Sequence, residues 1–504
     1  MKKLLYNGTI YTMTTKNETV EALIINEGNI FYAGNKNHCL TLLQNENYES
    51  IDLHNKVLLP GFIDSHLHII GHGEKILTVS LSTCKSKEEI LRKLQSAIPR
   101  DGLIVAEGLH DELHITKNDL DYWFPEQAVA LIRQCYHTML VNEAALQKWE
   151  VCSWDVLKNE IGRNTDGTMN GFLYESAMQQ ARKRCNTYTL TYLEQLLETA
   201  IHSAHSYGIT SIVTEDLSYY GDWRITLQAF WNVLQKIAIK THLLVHNQVW
   251  EEAEAENAQC LFRHPFIQFD SIKFFLDGSL GSRTAWLLQP YSDDSSNYGI
   301  PAYSDEDLEA QIQHVRSKNK TVAFHVIGDA SFEMALSVLK KYPPALKNQK
   351  DRLIHLSLLP KNGMKELKQL PVVLDLQPAF YASDRNWIVN RLGMERIENA
   401  YQLSSFIHEG FICGGSSDSP IEEINPWVGI FASIDRDTEA LTLYEAICLY
   451  TKGSAATIHA KRGEIKVGFD ADFQIYEQDP FQTSLHELKQ LRPTEVYVHG
   501  QRVF

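Results

Sequence analysis

Short apolar runs alternate with longer amphipathic stretches through most of the chain. The apolar runs lie at residues 58–63, 209–214, 243–249, 272–276, 321–326, 353–356, 372–376 and 411–414. A helical periodicity marks the stretches between several of them, at residues 192–207, 305–319 and 332–341. Repeated strand and helix over this length predict an α/β fold, a distorted TIM (β/α)8 barrel with its site where the strands end.

The two ends of the chain have a different pattern, of short apolar strands separated by turns. Short strands separated by turns at Asn7-Gly8, Glu27-Gly28 and Gly34-Asn35 occupy the first fifty-odd residues, and two more apolar segments lie at 473–476 and 496–498. We predict a composite β-sandwich domain from residues 1–57 and 456–504, and a barrel at 58–455. Residues from about 80 to 181 break the strand and helix rhythm and are predicted to be an insertion.

Composition narrows the classes of function. The chain has 504 residues, 44% hydrophobic and 22% charged, which is typical of a protein with a large core. Its formal net charge of -16 opposes attraction to nucleic acids and anionic membrane surfaces, so neither is expected as a partner. We find no apolar run long enough for a spanning helix, and Asn7-Gly8 interrupts the N-terminal apolar stretch too early for a signal peptide.

The eight cysteines are scattered, without a CxxC pair or a framework of short spacings. Neither a disulfide scaffold nor a cysteine-based zinc site is indicated. A reducing cytoplasm is therefore the expected location.

The sharpest local motif is PGFIDSHLH at residues 60–68, where an apolar run ends in His66 and His68. Side chains in a strand alternate between its faces, so these two imidazoles point the same way. A histidine taken alone is usually a hydrogen-bonded surface or core residue. The pair at a strand end instead predicts two metal ligands.

Three later apolar runs also end in a potential ligand. His325 and His355 close two of them, and Asp418 lies in the small-residue turn CGGSSDSP at 413–420. Each alone could serve a structural purpose. At the strand ends of one barrel, however, they would converge on a single mouth.

Lys273 lies inside the apolar run at 272–276, although lysine is almost never buried without a partner. One explanation is a lysine at a strand end whose ammonium group reaches solvent. The functional alternative is a lysine kept neutral near bound cations, which could take up carbon dioxide and become a carbamate bridging two metals.

With these residues in this order, the chain resembles the metal-dependent amidohydrolase superfamily over essentially its whole length. The motif KFFLDGSLGSRTA at 273–285 resembles the branch that contains N-substituted formamide deformylases, amidohydrolase family 3. The motifs HVIGD at 325–329 and DGTMNGFLYE at 166–175 are similar to the same branch.

The resemblance implies two divalent ions, with zinc as the expected metal. His66, His68 and Asp418 would bind one ion and His325 and His355 the other, with carboxylated Lys273 and a hydroxide between them. Imidazole and carboxylate ligands suit zinc, which lowers the pKa of bound water to about 7. Asp418 would take a proton from the nucleophile and pass it to the leaving nitrogen. A one-metal site, without carboxylation of Lys273, stays an alternative.

Five further residues are candidates for substrate contact. Arg283 follows the glycine-rich turn after Lys273 and could reach a carboxylate, or could clamp its own loop. His137 lies in a segment that resembles the cleft-lining part of the family's insertion. Gln377, Trp286 and Phe380 are expected near the barrel mouth, where aromatic residues also serve as packing.

We interpret the chain as a hydrolase of a linear amide or formamide bond in an N-substituted small molecule. A deaminase or a cyclic-amide hydrolase on the same metals is the alternative, but deaminases of the superfamily carry a glutamate where this chain has Gly328. A catalytically silent scaffold is disfavoured because all six ligand positions are intact. The sequence leaves the substrate open, and a homodimer is expected only from the size of the chain.

Overall fold

Eight parallel strands form one sheet in the computed structural model, which describes residues 1–134, 138–156, 158–185 and 188–504. Each strand pairs with the next along the chain. The strands are β1 (Phe62–Leu67), β2 (Ile209–Thr214), β3 (Lys240–His246), β4 (Ile267–Phe275), β5 (Val322–Val326), β6 (Asp351–His355), β7 (Val372–Leu376) and β8 (Cys413–Gly415). Just beyond β1 and β8, Asp418 N donates to His66 O (2.9 Å) and His68 N to Ser419 O (2.8 Å). The sheet thus curls into the predicted barrel, and the fold class is confirmed.

Burial on both faces explains the composition of these strands. All six residues of β2 and all five of β7 are buried. A parallel sheet covered by helices on one side and filled by side chains on the other selects continuous runs rich in valine, isoleucine and leucine. This is why apolar runs, rather than alternating patterns, mark the barrel strands.

The three helices predicted from periodicity are confirmed at Leu190–Ser206, Asp305–Ser317 and Asp329–Lys341. Ser304 caps the second of these by accepting a hydrogen bond from Asp307 N. None of the helices among the described residues is long and apolar enough to cross a membrane. The other helices are Lys36–Leu42, Ile69–Leu77, Lys87–Gln95, Lys117–Trp123, Glu143–Lys148, Glu175–Cys185, Trp223–Leu234, Trp250–Ala255, Ala258–Leu261, Gly363–Leu367, Pro378–Asp384, Ile388–Ile397, Ser404–His408, Pro426–Ile434, Leu443–Cys448 and Ser454–Thr457.

A second sheet combines strands from both ends of the chain. Phe473–Tyr476 pairs antiparallel with Val57–Pro60 and so joins the C-terminal strands to the N-terminal ones. We propose that this sheet is the core of the composite domain. Its eight strands are Lys2–Tyr11, Thr19–Asn26, Asn29–Gly34, Tyr48–Asp52, Val57–Pro60, Phe473–Tyr476, Glu495–Val498 and Gln501–Arg502.

The apolar run at residues 58–63 is not the single strand that we expected. Val57–Pro60 belongs to the terminal sheet and Phe62–Leu67 to the barrel, with the division at Gly61. Gly61 N donates to Asp472 O, whereas Phe62 N donates to Gly208 O. A side chain at Gly61 would collide with Thr210, so only glycine fits at this crossing between the sheets.

Internal contacts divide the chain into two units. The first consists of residues 1–69, 201–218 and 231–504, and it contains the barrel strands and the terminal sheet. The second consists of residues 70–200 and 219–230 and has its own six-stranded sheet, and the insertion predicted at about 80–181 falls within it. That sheet contains Val79–Ser80, Leu103–Leu109, Ala128–Arg133, Thr138–Val141, Ile161–Arg163 and Met169–Tyr174.

Candidate metal centre

His66 and His68 lie at the end of β1 on the same face of the strand. Their Nε2 atoms are 3.4 Å and 3.5 Å from the same oxygen, Oδ1 of Asp418. One ligand atom from each of these three residues lies within 4.8 Å of the others. The structure therefore brings together the three side chains predicted to hold one metal.

The backbone after β8 delivers Asp418 to this position. Asp418 has a left-handed conformation (φ 54°) and its N–H donates to His66 O. A positive φ is uncommon for residues other than glycine and needs support from the surrounding structure. Here it turns a buried carboxylate back towards the end of β1.

His325 and His355 come from the ends of β5 and β6. Their ring centroids are 4.4 Å apart, and the His355 ring is 5.8 Å from that of His66. His355 also has a positive φ, of 79°. The four predicted histidine ligands thus face one another at one end of the barrel.

Lys273, on β4, is completely buried beside these histidines. Its Nζ lies 3.3 Å from Nε2 of His66. Burial lowers the pKa of Lys273 to about 8, although the acidic groups Glu215 and Asp418 oppose the shift. A lysine in this setting is more readily neutral than one at the surface.

The hydrogen-bond partners of three histidines fix which ring nitrogen carries the hydrogen. His68 Nδ1 contacts the carbonyl oxygen of Glu215 (2.6 Å), and His325 Nε2 contacts that of Gly278 (3.0 Å). His355 Nδ1 contacts the amide oxygen of Gln377 (2.7 Å). These oxygens can only accept, so the contacted nitrogen of each ring carries a hydrogen, and the opposite nitrogen is the one that can face a ligand when the ring is neutral.

The protonation of the site favours metal ligation. Burial, together with the charge of Lys273 among other groups, lowers the pKa of His66 and His325, and it lowers that of His355 to about 4. These rings are therefore neutral, as ligands must be. Burial acts in the same direction on His68, but the neighbouring Asp418 outweighs it and raises the pKa to about 9. The pKa of Asp418 is lowered, because its contacts with His68 outweigh burial.

Sequence reasoning assigned no role to Asp64, which lies two residues before His66. The buried Asp64 carboxylate accepts hydrogen bonds from Ser417 Oγ (2.6 Å) and from the backbone N–H of His66 and Ser417 (3.2 Å each). It therefore joins the end of β1 to the turn that carries Asp418. The alternation that links His66 to His68 extends to Asp64 and could have identified it.

The donor set fits a divalent metal. Four imidazoles, one ionised carboxylate and a buried lysine suit zinc better than a hard oxygen-seeking cation. Among the described residues His66 Nδ1 has no hydrogen-bond partner although it is buried. With the ring hydrogen on Nδ1, the lone pair of Nε2, which faces Lys273 and Asp418, is left for a ligand.

The predicted substrate-contact residues fall into different settings. The Phe380 ring stacks on His355, with centroids 5.7 Å apart and planes 12° from parallel. Trp286 is half-buried and its backbone N–H donates to Asp277. Gln377 is buried behind His355 and donates to Asp375 O and Ser416 Oγ.

Arg283 is held by its own loop. Its Nε and Nη2 atoms donate to the two carboxylate oxygens of Asp293 (3.1 Å and 3.0 Å), and Asp293 also pairs with Arg391. This is the loop clamp considered above, and a substrate contact by Arg283 stays a prediction. His137 lies outside the described residues.

Comparison with known proteins agrees with this geometry. The profile of the amidohydrolase family matches residues 49–504. The chain is 36% identical to the protein YtcJ of Bacillus subtilis (strain 168), whose name calls it an amidohydrolase, over 100% of this chain and 99% of YtcJ. It is 20% identical to the N-substituted formamide deformylase of Arthrobacter pascens, over 99% of this chain and 97% of that enzyme. Among solved structures, an uncharacterized metal-dependent hydrolase from Pyrococcus furiosus is 29% identical, with a TM-score of 0.80, covering 96% of this chain and 100% of the other.

Proposed function

Since the chain belongs to the amidohydrolase family, we propose that it hydrolyses a linear amide or formamide bond in an N-substituted small molecule. Family membership makes it a hydrolase of carbon–nitrogen bonds other than peptide bonds. The observation that best supports hydrolysis at this site is the position of Asp418, whose Oδ1 lies within 3.5 Å of both His66 Nε2 and His68 Nε2. The ionised carboxylate of Asp418, beside these two histidines, provides a proton acceptor at the ligand cluster.

His66, His68 and Asp418 would hold one divalent ion, and His325 and His355 the other. Zinc is the metal that we propose, from the chemistry of the donors. When bound, such an ion supplies the Lewis acidity that polarises a carbonyl group and makes a water molecule nucleophilic near neutral pH.

Asp418 moves the proton in this proposal. Its lowered pKa keeps the carboxylate ionised, so that an oxygen of Asp418 can accept the proton of the attacking water. The same oxygen then gives that proton to the nitrogen of the breaking C–N bond. The products are a carboxylic acid and an amine.

Lys273 would become a carbamate in this site. Its pKa of about 8 leaves part of the population as the free amine near neutral pH. The amine nitrogen attacks carbon dioxide, a nitrogen–carbon bond forms, and one proton is released. The resulting carbamate would replace a buried positive charge with a negative one and would supply oxygen ligands for the divalent ions.

The position of Gly328 argues against ring deamination. A Cβ at Gly328 would collide with the carbonyl oxygen of Trp286. The glutamate that deaminases of the superfamily carry there could not enter without moving this backbone. Two half-buried aromatic residues lie beside this site: the Phe380 ring stacks on His355, and Trp286 follows β4, with its backbone against Gly328. We propose that these residues contact the substrate.

The proposal is tested by supplying N-formyl and N-acyl amines together with cyclic amides and aminopurines, and by measuring amine, ring-opened acid and ammonia separately. We expect amine release from linear substrates by the wild-type enzyme, and release that is about 10³-fold slower from Asp418→Asn at equal metal content. Ammonia from a ring substrate, or ring opening without amine release, would support the alternative activities.

We also propose that the enzyme acts in the cytoplasm, where the cysteines that the structure describes as free would stay reduced. Sedimentation of the purified protein tests the expected homodimer.

A further inference from the structure

Asp277 follows β4 and lies two residues beyond its last residue, Phe275. The side chain is buried, with 6% of the residue exposed. Its Oδ1 accepts from Ile327 N (3.1 Å), and its Oδ2 from Gly328 N (2.8 Å) and Trp286 N (3.0 Å).

Ser331 Oγ adds a fourth hydrogen bond to Asp277 Oδ2, at 2.8 Å. One carboxylate therefore joins three segments: the loop after β4, the turn after β5 and the start of helix Asp329–Lys341. The turn after β5 begins two residues after His325, whose Nε2 is 3.7 Å from Asp277 Oδ1.

The residue after Asp277 supplies the carbonyl group that orients His325. Gly278 O lies 3.0 Å from His325 Nε2, so this nitrogen carries the hydrogen and Nδ1 is left for a ligand. The Gly278 peptide is held in turn by Thr284, since Gly278 N donates to Thr284 O and Ser279 N to Thr284 Oγ1. A Cβ at Gly278 would collide with that hydroxyl group.

We propose that Asp277 is a positioning residue that sets the tautomer and orientation of His325, and with them the affinity of the ion held by His325 and His355. The inference rests on the proposed function, because it takes His325 as a metal ligand. Asp277 itself does not ligate in this scheme. It holds the peptides of Ile327 and Gly328, which follow His325 by two and three residues, against the loop that carries the Gly278 carbonyl group.

Only a carboxylate satisfies this arrangement. Four donors point at two oxygens, and an ionised carboxylate has acceptor capacity for all of them. Asparagine has nearly the same shape, but its NH2 group would face N–H donors and leave them unpaired. Asp277→Asn therefore perturbs the two peptides with little change in volume.

Asp329 offers a matched control. It is buried to a similar degree, 7% exposed, and holds the same loop by accepting from Leu288 N (2.9 Å). Asp329→Asn makes the same change of side chain at a buried contact with this loop, without touching the Gly278 carbonyl group. Ser331→Ala is a milder variant, which removes one of the four hydrogen bonds to Asp277 and keeps the carboxylate.

The experiment measures zinc bound by the wild type, the three variants and His325→Ala at a series of buffered free zinc concentrations, with melting temperatures in parallel. We expect two ions in the wild type. Asp277→Asn should keep the ion held by His66, His68 and Asp418. It should lower the affinity for the ion held by His325 and His355 by about 10- to 100-fold, the range for loss of a partner that orients a ligand. Ser331→Ala should show a smaller loss of the same ion, and Asp329→Asn should bind both ions like the wild type.

Two results would overturn the inference about Asp277 and leave the proposed function standing. One is wild-type zinc binding by Asp277→Asn. The other is an equal loss of zinc in Asp277→Asn and Asp329→Asn, which would indicate a general loosening of the loop. If Asp277→Asn does not fold, wild-type zinc binding by Ser331→Ala overturns the inference. If the wild type binds fewer than two ions, or His325→Ala binds as many as the wild type, the assignment of ligands in the proposed function fails, and the inference fails with it.

Discussion

The amide oxygen of Gln377 lies 2.7 Å from Nδ1 of His355, and its NH2 group donates to Asp375 O and Ser416 Oγ. The two donations fix which end of the amide faces the histidine. His355 therefore carries its hydrogen on Nδ1, which leaves Nε2 free to bind the proposed metal.

Replacing Gln377 by methionine tests this relationship. Methionine has a similar length but cannot accept the hydrogen bond from His355, so the ring loses its orientation. We expect kcat/KM to fall about 10- to 100-fold, with the fold retained. Gln402→Met, in the neighbouring loop, is the control and should keep wild-type kinetics. Unchanged kinetics in Gln377→Met would show that His355 needs no such partner.

Asp418→Asn tests the proton-transfer role. Asparagine keeps the shape and one ligand oxygen but cannot hold a proton, so turnover should fall by about 10³-fold, within the range for loss of a general base. Circular dichroism and metal content should remain close to those of the wild type. Asp435→Asn, at a more exposed carboxylate, controls for the loss of charge. A kcat near that of the wild type in Asp418→Asn would remove this residue from the mechanism.

Lys273→Ala tests the carbamate. The variant should lose metal and activity, and short-chain carboxylic acids at high concentration should partly restore both by occupying the space of the carbamate. Lys365→Ala, at an exposed lysine, should behave as the wild type. If Lys273→Ala keeps all of its metal, a one-metal site with Lys273 away from the ion is the better account.

His205 predicts a pH dependence of stability away from the metal site. Burial lowers its pKa from the ordinary 6.5 to about 4. Between pH 4 and 6.5 the unfolded chain binds a proton on His205 that the folded chain does not. The free energy of unfolding therefore falls as the pH is lowered from 6.5 towards 4, and above pH 6.5 His205 causes no loss of stability. The full loss is about 3 kcal/mol, since one pKa unit corresponds to about 1.4 kcal/mol.

Urea unfolding of His205→Leu at several pH values measures this contribution. We expect its stability to change less than that of the wild type between pH 6.5 and 4. His202→Leu, at an exposed position on the same helix, removes only a lesser cause of the lowered pKa of His205 and should change the pH dependence much less than His205→Leu. Parallel pH curves for His205→Leu and the wild type would contradict the prediction.

The grouping of the candidate metal ligands could be predicted, because the position of each residue rests on a short-range rule. His66 and His68 share a face through strand alternation, and His325, His355 and Asp418 follow apolar runs that the barrel topology brings to one end. Neither step requires knowledge of the loops.

The contacts that orient these ligands could not be predicted in the same way. The pairing of Gln377 with His355 depends on the register of two strands, and that of Arg283 with Asp293 depends on the closure of a long loop. The division of the apolar run at Gly61 carries no hydrophobic signal, because both of its halves are buried in different sheets. Such features follow from tertiary packing rather than local pattern.

The most direct test of the account is the metal content of protein purified without chelator, measured by plasma mass spectrometry beside His66→Ala. We expect about two zinc or similar divalent ions per wild-type chain, the stoichiometry of a two-metal hydrolytic site, and fewer in the variant. No bound metal in the wild type, even after reconstitution with zinc and bicarbonate, would contradict it.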